Sequence, residues 1–181
     1  MNRVLTIGHS TRPLAGFLAL LARERATLLL DVRTVPRSRH NPQFNRDTLP
    51  AVLSGAGIGY RHLPELGGLR HARKDSPNGG WHNASFRGYA DYMQTPGFAA
   101  AIGEVVALAA LERCVLMCAE AVPWRCHRSL IADALVVRGI EVDDIVGEHA
   151  ATAHRLTPFA RVDGTAITYP PVPAPPHPAA D

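Results

Sequence analysis

The residues of this chain best suited to chemistry crowd into one stretch, RCVLMCAEAVPWRCHRSLIADALVVRG at 113–139. Cys118, Glu120, Cys126, His127 and Arg128 share a loop between a short apolar run (Val115, Leu116, Met117) and a helical pattern of Leu130, Ile131, Ala134, Leu135 and Val137. A thiol beside Arg125, His127 and Arg128 has the surroundings that favour a thiolate, and a thiolate is a nucleophile. Cys118 closes the strand and is one candidate. Cys126 opens the helix, where the free N–H groups favour negative charge. Glu120 and His9 are candidates for acid–base work. A reversible Cys118–Cys126 disulfide is a further option, at a spacing unlike the CxxC of redox proteins. Cys118, Cys126 and His127, joined by His9, would also supply metal ligands, but no paired C-x2-C spacing supports structural zinc. No metal is assigned on that pattern, and no cofactor is identified.

Polar residues at the ends of two other apolar runs belong with this loop. RVLTIG at 3–8 leads into His9 and Ser10, and TLLLDV at 27–32 carries Asp31 and leads into Arg33. Between residues 33 and 46 stand Arg33, Arg37, Arg39 and Arg46 and no acid. Arginine forks suit phosphate and carboxylate, and a long basic loop after a central strand is a natural binding element. Residues 64–84, rich in Gly, Asn, His and Arg and holding Glu65, read as a lid or substrate loop anchored by Leu66, Leu69 and Trp81. Ser10, Arg33, Arg37, Ser38, Arg39, Asn45, Glu65, Cys126, His127 and Arg128 are the expected substrate-binding residues, with Cys118, Glu120 and His9 nearest the reaction.

The elements that position them follow from periodicity. The runs at 3–8, 27–32, 58–63, 113–118 and 141–146 read as strands, the central ones nearly all apolar as buried parallel strands are. Pro13 can open a first helix with Phe17, Leu18, Leu20 and Leu21 on its apolar face, and Asp47 is placed to cap a second. Phe86, Tyr89, Ala90 and Met93 lie at helical spacing and read as core. Thr95 and Pro96 start a longer helix, and Gly139 stops the last. Strands alternating with helices predict an α/β fold, a three-layer Rossmann-like open sheet, mostly parallel, with helices on both faces. In such sheets ligands bind beyond the carboxyl ends of the strands. Residues 1–150 are expected to form this domain, and 151–181 a C-terminal extension whose YPPVPAPPHPAAD end is too proline-rich to bury a core.

The totals narrow the classes. A length of 181 residues, 46% hydrophobic and 19% charged, suits one globular domain with a substantial core. A net charge of +3 is compatible with anions or nucleic acid but demands neither. Lys74 is the single lysine, so the basic residues are arginines almost throughout. Three cysteines, no secretory pattern at MNRVLTIGHS and no apolar run near the ~20 residues of a membrane span point to a reduced, cytoplasmic protein with no membrane partner.

The motifs resemble the DUF488 family, bacterial and archaeal proteins of uncharacterised function. The matching segments are TIGHS at 6–10, DVRTVPRSRHNPQFN at 31–45, LPELGG at 63–68, FRGYADYM at 86–93 and LMCAEAVPWRCHRSLIADAL at 116–135. The resemblance implies that His9, Ser10, Arg33, Pro36, Ser38, Phe44, Asn45, Glu65, Gly67, Gly68, Cys118, Glu120, Cys126, His127 and Arg128 form the family's signature. It implies no activity. A fainter likeness to rhodanese-like folds lies in the Asp-Val-Arg strand end and the later strand–Cys loop–helix, although Cys118 and Arg128 are too far apart in sequence for a compact anion cradle.

Three functional expectations follow. The first is an enzyme acting on a phosphate-bearing substrate, a nucleotide or nucleic acid, with Arg33, Arg37, Arg39 and Arg128 on the anion and Trp81 or Phe44 stacked on a base. The second is a non-catalytic module binding nucleic acid or an anionic ligand. The third is a thiol-based redox or sulfur-transfer enzyme using Cys118.

Overall fold

The computed structural model describes residues 3–171; the proline-rich end expected to be extended lies, from residue 172 on, outside the described residues. Its strands are β1 (Arg3–Gly8), β2 (Leu28–Asp31), β3 (Gly59–His62), β4 (Cys114–Cys118), β5 (Glu141–Ile145) and β6 (Thr152–Ala153), in a six-stranded sheet of order β3-β2-β4-β1-β5-β6. All pairings are parallel except β5–β6. A separate hairpin joins β7 (Arg161–Asp163) to β8 (Ala166–Thr168).

Helices cover both faces, and the strand alternation says why. Along β4, Val115 and Met117 face α1 (Leu14–Arg23) and α2 (Leu49–Gly55), in a core with Phe17, Leu21, Leu49 and Leu53. Cys114, Leu116 and Cys118 face α3 (Ala84–Tyr92), α4 (Pro96–Ala109) and α5 (Arg128–Val136), in a core with Tyr89, Phe98, Ile102, Leu130 and Ile131. The α/β, helix-on-both-faces architecture expected from the sequence is the one observed. Two starts differ in detail. Pro13 sits at the N-cap of α1 rather than inside its first turn, and Thr48, not Asp47, precedes α2, with no side-chain cap. Thr95 caps α4 as expected, its side chain accepting from Phe98 N–H.

The strand order matters for function. β4 is inserted between β1 and β2, so the three strand ends that carry His9–Ser10, Asp31–Arg33 and Cys118–Glu120 are immediate neighbours. His9 N–H donates to Cys118 C=O at 2.9 Å, Ser10 N–H to Ala119 C=O at 3.0 Å, and Val32 N–H to Met117 C=O at 3.0 Å. The ladder thus continues past the strands and ties the loops into one platform.

Beyond residue 150 the chain is docked on this domain. Ile167 and Tyr169 are buried. The Tyr169 hydroxyl donates to Asp133 Oδ2 at 2.9 Å, and Asp133 Oδ1 also accepts from Thr157 N–H at 3.1 Å. His154 completes the cluster, 2.8 Å from Asp133 Oδ1 and 3.4 Å from Asp144 Oδ2. Burial pulls its pKa down, but the hydrogen bonds and charges of the two carboxylates carry it from 6.5 up to about 9. A histidine whose pKa rises on folding stabilises fully below its unfolded value, and that stabilisation fades as pH climbs through the folded value. Urea midpoints of the wild type should therefore fall between pH 6.5 and 9, whereas His154→Gln should start lower and stay flatter across that window. A variant retaining the wild-type slope would show that His154 is not the titrating group.

Candidate functional site

The platform is possible because residue 8 is a glycine. A Cβ on Gly8 would stand 1.7 Å from the Glu120 carbonyl oxygen, so only glycine lets the loop after β4 fold across the end of β1. That crossing turns the Glu120 backbone toward the cysteines. Glu120 N–H donates to Cys118 Sγ at 3.3 Å, and Glu120 C=O accepts from Arg128 Nη2 at 3.0 Å. The Glu120 side chain is exposed and stands between two neighbouring cavities.

After the crossing, a single 3-10 turn at Pro123–Arg125 returns the chain so that Cys126 meets Cys118. Their sulfurs are 2.7 Å apart, and both are free thiols. Cys126 precedes the helix rather than opening it: α5 begins at Arg128, with His127 at the N-cap. The two thiols are driven apart in acidity. Burial, with its proton held toward Cys126, pushes Cys118 well above the usual thiol range. Cys126 is lowered, first by the hydrogen bond from Cys118 and then, against burial, by His127 and Arg128. Of the two thiols considered for activation, Cys126 is the one depressed, with His127 Nδ1 beside its sulfur, whereas burial dominates at Cys118.

His127 has a fixed role in this pair. Its Nε2 lies 3.1 Å from Val32 C=O and its Nδ1 3.5 Å from Cys126 Sγ. A carbonyl can only accept, so Nε2 carries a proton and Nδ1 faces the sulfur. Tyr89 packs against the ring at 5.1 Å, and Gly68 closes the other side, where a Cβ would stand 2.5 Å from Nδ1. Gly67 is equally constrained, against Thr34. These contacts give the LPELGG glycines their physical meaning.

The two buried arginines differ in how their charge is met. Arg33 forks onto Asp31, Nε to Oδ1 at 2.8 Å and Nη2 to Oδ2 at 2.6 Å, and also donates to Phe44 C=O at 2.7 Å. Its Nη1 lies 3.2 Å from His9 Nε2. Arginine has no lone pair to offer, so His9 Nε2 accepts, and its Nδ1–H donates to Ser10 C=O at 2.8 Å. Burial and the adjacent Arg33 lower the His9 pKa while the Ser10 bond opposes them; the ring is neutral and stacked on Phe44 at 4.4 Å. Arg128 is 1% exposed, reaches Thr6 Oγ1 at 3.5 Å and Glu120 C=O, and leaves its Nε without a hydrogen-bond partner. No carboxylate pairs with Arg128 among the described residues.

Around the thiols lies a cavity of about 360 Å³ lined by Arg33, Val35, Gly68, Leu69, Phe86, Cys118, Cys126 and His127, among others. A second, of about 410 Å³, adjoins it across Glu120 and takes in His9, Ser10, Arg37 and Ser38. Ser38 and Asn45 shape the basic loop: Asn45 Oδ1 accepts from Ser38 N–H at 2.6 Å, and Ser38 Oγ from Asn41 N–H at 3.1 Å. Arg37 and Arg39 point to solvent. Glu65 is exposed on a 3-10 turn outside both cavities, its carbonyl accepting from Arg70. Neither ring expected to stack on a base is free to do so. Phe44 is fully buried, and Trp81 is enclosed by Phe86, Phe159 and Tyr169.

Several working residues escaped the sequence reading. Thr6 carries no signal beyond lying on a buried strand, and Asp31, expected at the site's strand end, is not marked there as the partner of Arg33. Asp91 is buried in α3 and anchors residues 64–84 by accepting from Arg73 N–H, Ser76 Oγ–H and Asn78 Nδ2–H. An acid at an otherwise core-facing helical position was the available signal. No group of three or more His, Cys, Asp or Glu able to hold a metal is found among the described residues.

Among known proteins, the family model described as "Domain of unknown function DUF488" matches residues 13–135. No curated protein and no solved structure matches the chain.

The packing of Gly68 on His127 makes a sharp test. Gly68→Ala should displace the imidazole, raise the Cys126 pKa and slow its alkylation by iodoacetamide near neutral pH, with a stability loss of about 1–3 kcal/mol from overpacking. Wild-type alkylation rates in this variant would remove His127 from the set of groups that activate the thiol.

Proposed function

The chain belongs to the DUF488 family, which brings no assigned activity, and we propose that it is a thiol-based redox enzyme in which Cys126 attacks and Cys118 resolves. One observation carries the reading: two free sulfurs 2.7 Å apart at a cavity wall, one shifted toward the thiolate and the other kept protonated. Pairs pushed apart in acidity in this way divide the labour of a two-step exchange.

The steps balance. The Cys126 thiolate attacks one sulfur of a substrate disulfide, forming a mixed disulfide and expelling the other sulfur as a thiolate. Cys118 then passes its proton to that leaving thiolate and attacks Cys126 Sγ, which releases the second substrate sulfur. The substrate disulfide gains two electrons and the protein dithiol loses them. Run in reverse, the same steps oxidise a substrate dithiol. A low-molecular-weight thiol returns the protein to its reduced form. The His127 Nδ1 face holds the reacting sulfur in line, and Arg128 supplies charge below it.

Binding of a phosphate-bearing substrate has less support. Arg33 is already neutralised by Asp31, and Arg128 is sealed beneath the loop. Arg37 and Arg39 have no acidic partner among the described residues and give the site a preference for anionic substrates. Double replacement of Arg37 and Arg39 by Ala, followed across a salt series with nucleotides and DNA, separates that steering from true phosphate recognition.

For the thiol reading, reduced protein titrated in glutathione redox buffers should pass to an intramolecular Cys118–Cys126 disulfide, seen as a loss of two mass units and of two alkylation sites. Cys126→Ser should abolish rapid alkylation near neutral pH. Cys118→Ala should leave a Cys126 that forms mixed disulfides but cannot resolve them, with its pKa raised by the lost hydrogen bond. Failure of the pair to oxidise in any buffer would sink the assignment.

A further inference from the structure

We infer that the thiol site takes a polypeptide substrate, an extended segment with an apolar residue beside its cysteine and acidic residues flanking it; this rests on the redox reading above. The first support is the distribution of exposed apolar surface. Large exposed hydrophobic side chains among the described residues include Val35 at 64%, Leu69 at 76% and Trp124 at 66%. Val35 and Leu69 line the thiol cavity, and Trp124 sits in the 3-10 turn that delivers Cys126. Val35, after β2, and Leu69, before α3, come from separate segments yet converge on one opening, and Trp124 adjoins Arg125 of the same lining. Clustered exposed apolar side chains around a site mark a surface that is covered in use.

The rim is built rather than loose. Leu69 is held outward by its own neighbours: its N–H lies 3.4 Å from Thr34 Oγ1, and Arg70 donates to Gly67 C=O at 3.1 Å and to Glu65 C=O at 2.9 Å. The Arg70 guanidinium then stacks 3.6 Å from the centre of the Tyr92 ring. Val35 C=O accepts from Arg37 N–H at 2.9 Å, and Pro36 C=O from Arg46 N–H at 3.0 Å, so the basic loop is closed on itself. A surface ordered in advance loses less freedom on binding.

The second support is charge. Arg125 lines the thiol cavity, and Arg37 the adjoining one. Arg39 projects from the same loop, in a stretch from 33 to 46 without an acid. Glu120 is the one exposed carboxylate on this lining, against Arg37, Arg39 and Arg125, which have no acidic partner among the described residues; an apolar opening with that excess of guanidinium groups complements an apolar–acidic peptide. A small disulfide such as glutathione's would leave most of this rim uncovered. A single-stranded nucleic acid would use the arginines and Trp124, but it offers no sulfur for the pair at the floor.

The test compares three mixed disulfides of thionitrobenzoate, whose colour reports attack by Cys126: a peptide with Leu and Asp/Glu beside its cysteine, the same peptide with Lys for the acids, and cysteine alone. With full-length protein, the acidic peptide should react about tenfold faster than the lysine peptide at low salt, consistent with steering by surface charge. The ratio should shrink toward unity in Arg37→Ala/Arg39→Ala/Arg125→Ala. Leu69→Ser should lower both peptide rates relative to the cysteine rate of the same variant, a normalisation that cancels any change in the thiol itself. Equal rates for the two peptides, or an oligonucleotide blocking attack at lower concentration than the acidic peptide does, would overturn the polypeptide assignment. If even the cysteine reagent reacts no faster than with a free thiol, the redox reading fails instead.

Discussion

A single backbone contact, the Glu120 carbonyl seated against Gly8, is what the rest of this site depends on. Because residue 8 has no Cβ, the loop leaving β4 can cross the end of β1 and receive hydrogen bonds from His9 and Ser10. The crossing fixes where Cys118 ends, directs the Glu120 N–H to its sulfur, and brings the carbonyl within reach of Arg128. It also aims the 3-10 turn so that Cys126 closes on Cys118. A side chain at residue 8 would lift the loop and separate the thiols, since Glu120 C=O, Glu120 C and Ala121 Cα all lie within 2.9 Å of its Cβ position. Seven residues separate the cysteines in sequence, and this contact is what makes the spacing short in space.

Charge then distinguishes the two buried arginines. Arg33 and Arg128 look alike in sequence, each at the edge of a strand or helix and each a fair phosphate ligand. Folding treats them oppositely. Arg33 meets both oxygens of Asp31 and is spent on holding β2, the Phe44 turn and His9 together. Arg128 is buried with only neutral partners and an unsatisfied Nε. A buried guanidinium without an acid in hydrogen-bond contact is costly; Thr6, which Arg128 reaches, donates in turn to Asp144, and the Arg128 charge also favours the thiolate on Cys126. The same charge that would have marked a phosphate pocket instead supports a thiol one.

The sequence showed the layout well. Strand periodicity, the apolar faces of α1, α4 and α5, and the clustering of polar residues at three strand ends all led to the sheet and to its functional edge. The residues that organise the site were harder to read, because their work depends on partners far along the chain. Asp31 stands out as a polar strand end, but nothing local says that Arg33 folds back on it. Asp91 sits among Tyr89, Ala90 and Met93 on what looks like an uninterrupted core face, yet it anchors the irregular loop that carries Gly68. Cys118 and Cys126 could be ranked by local rules only, and the helix-start argument favoured Cys126 for a reason that geometry replaces: Cys126 lies ahead of the helix, with His127 and the Cys118 thiol against its sulfur.

The electrostatics that activate Cys126 also set the direction in which such a pair would run. Oxidation to a disulfide would remove the thiolate, so the Arg128 charge that lowers the thiol pKa would stabilise the reduced form over the oxidised one. In redox pairs of this kind a stabilised dithiol means a more oxidising couple, one that hands its disulfide on rather than keeping it. An oxidant of that sort needs selectivity from somewhere other than thermodynamics, because many thiols would reduce it. On the proposed reading the apolar, arginine-bordered rim would supply that selectivity: it would govern which sulfur reaches Cys126, while the buried pair would govern what happens once it arrives.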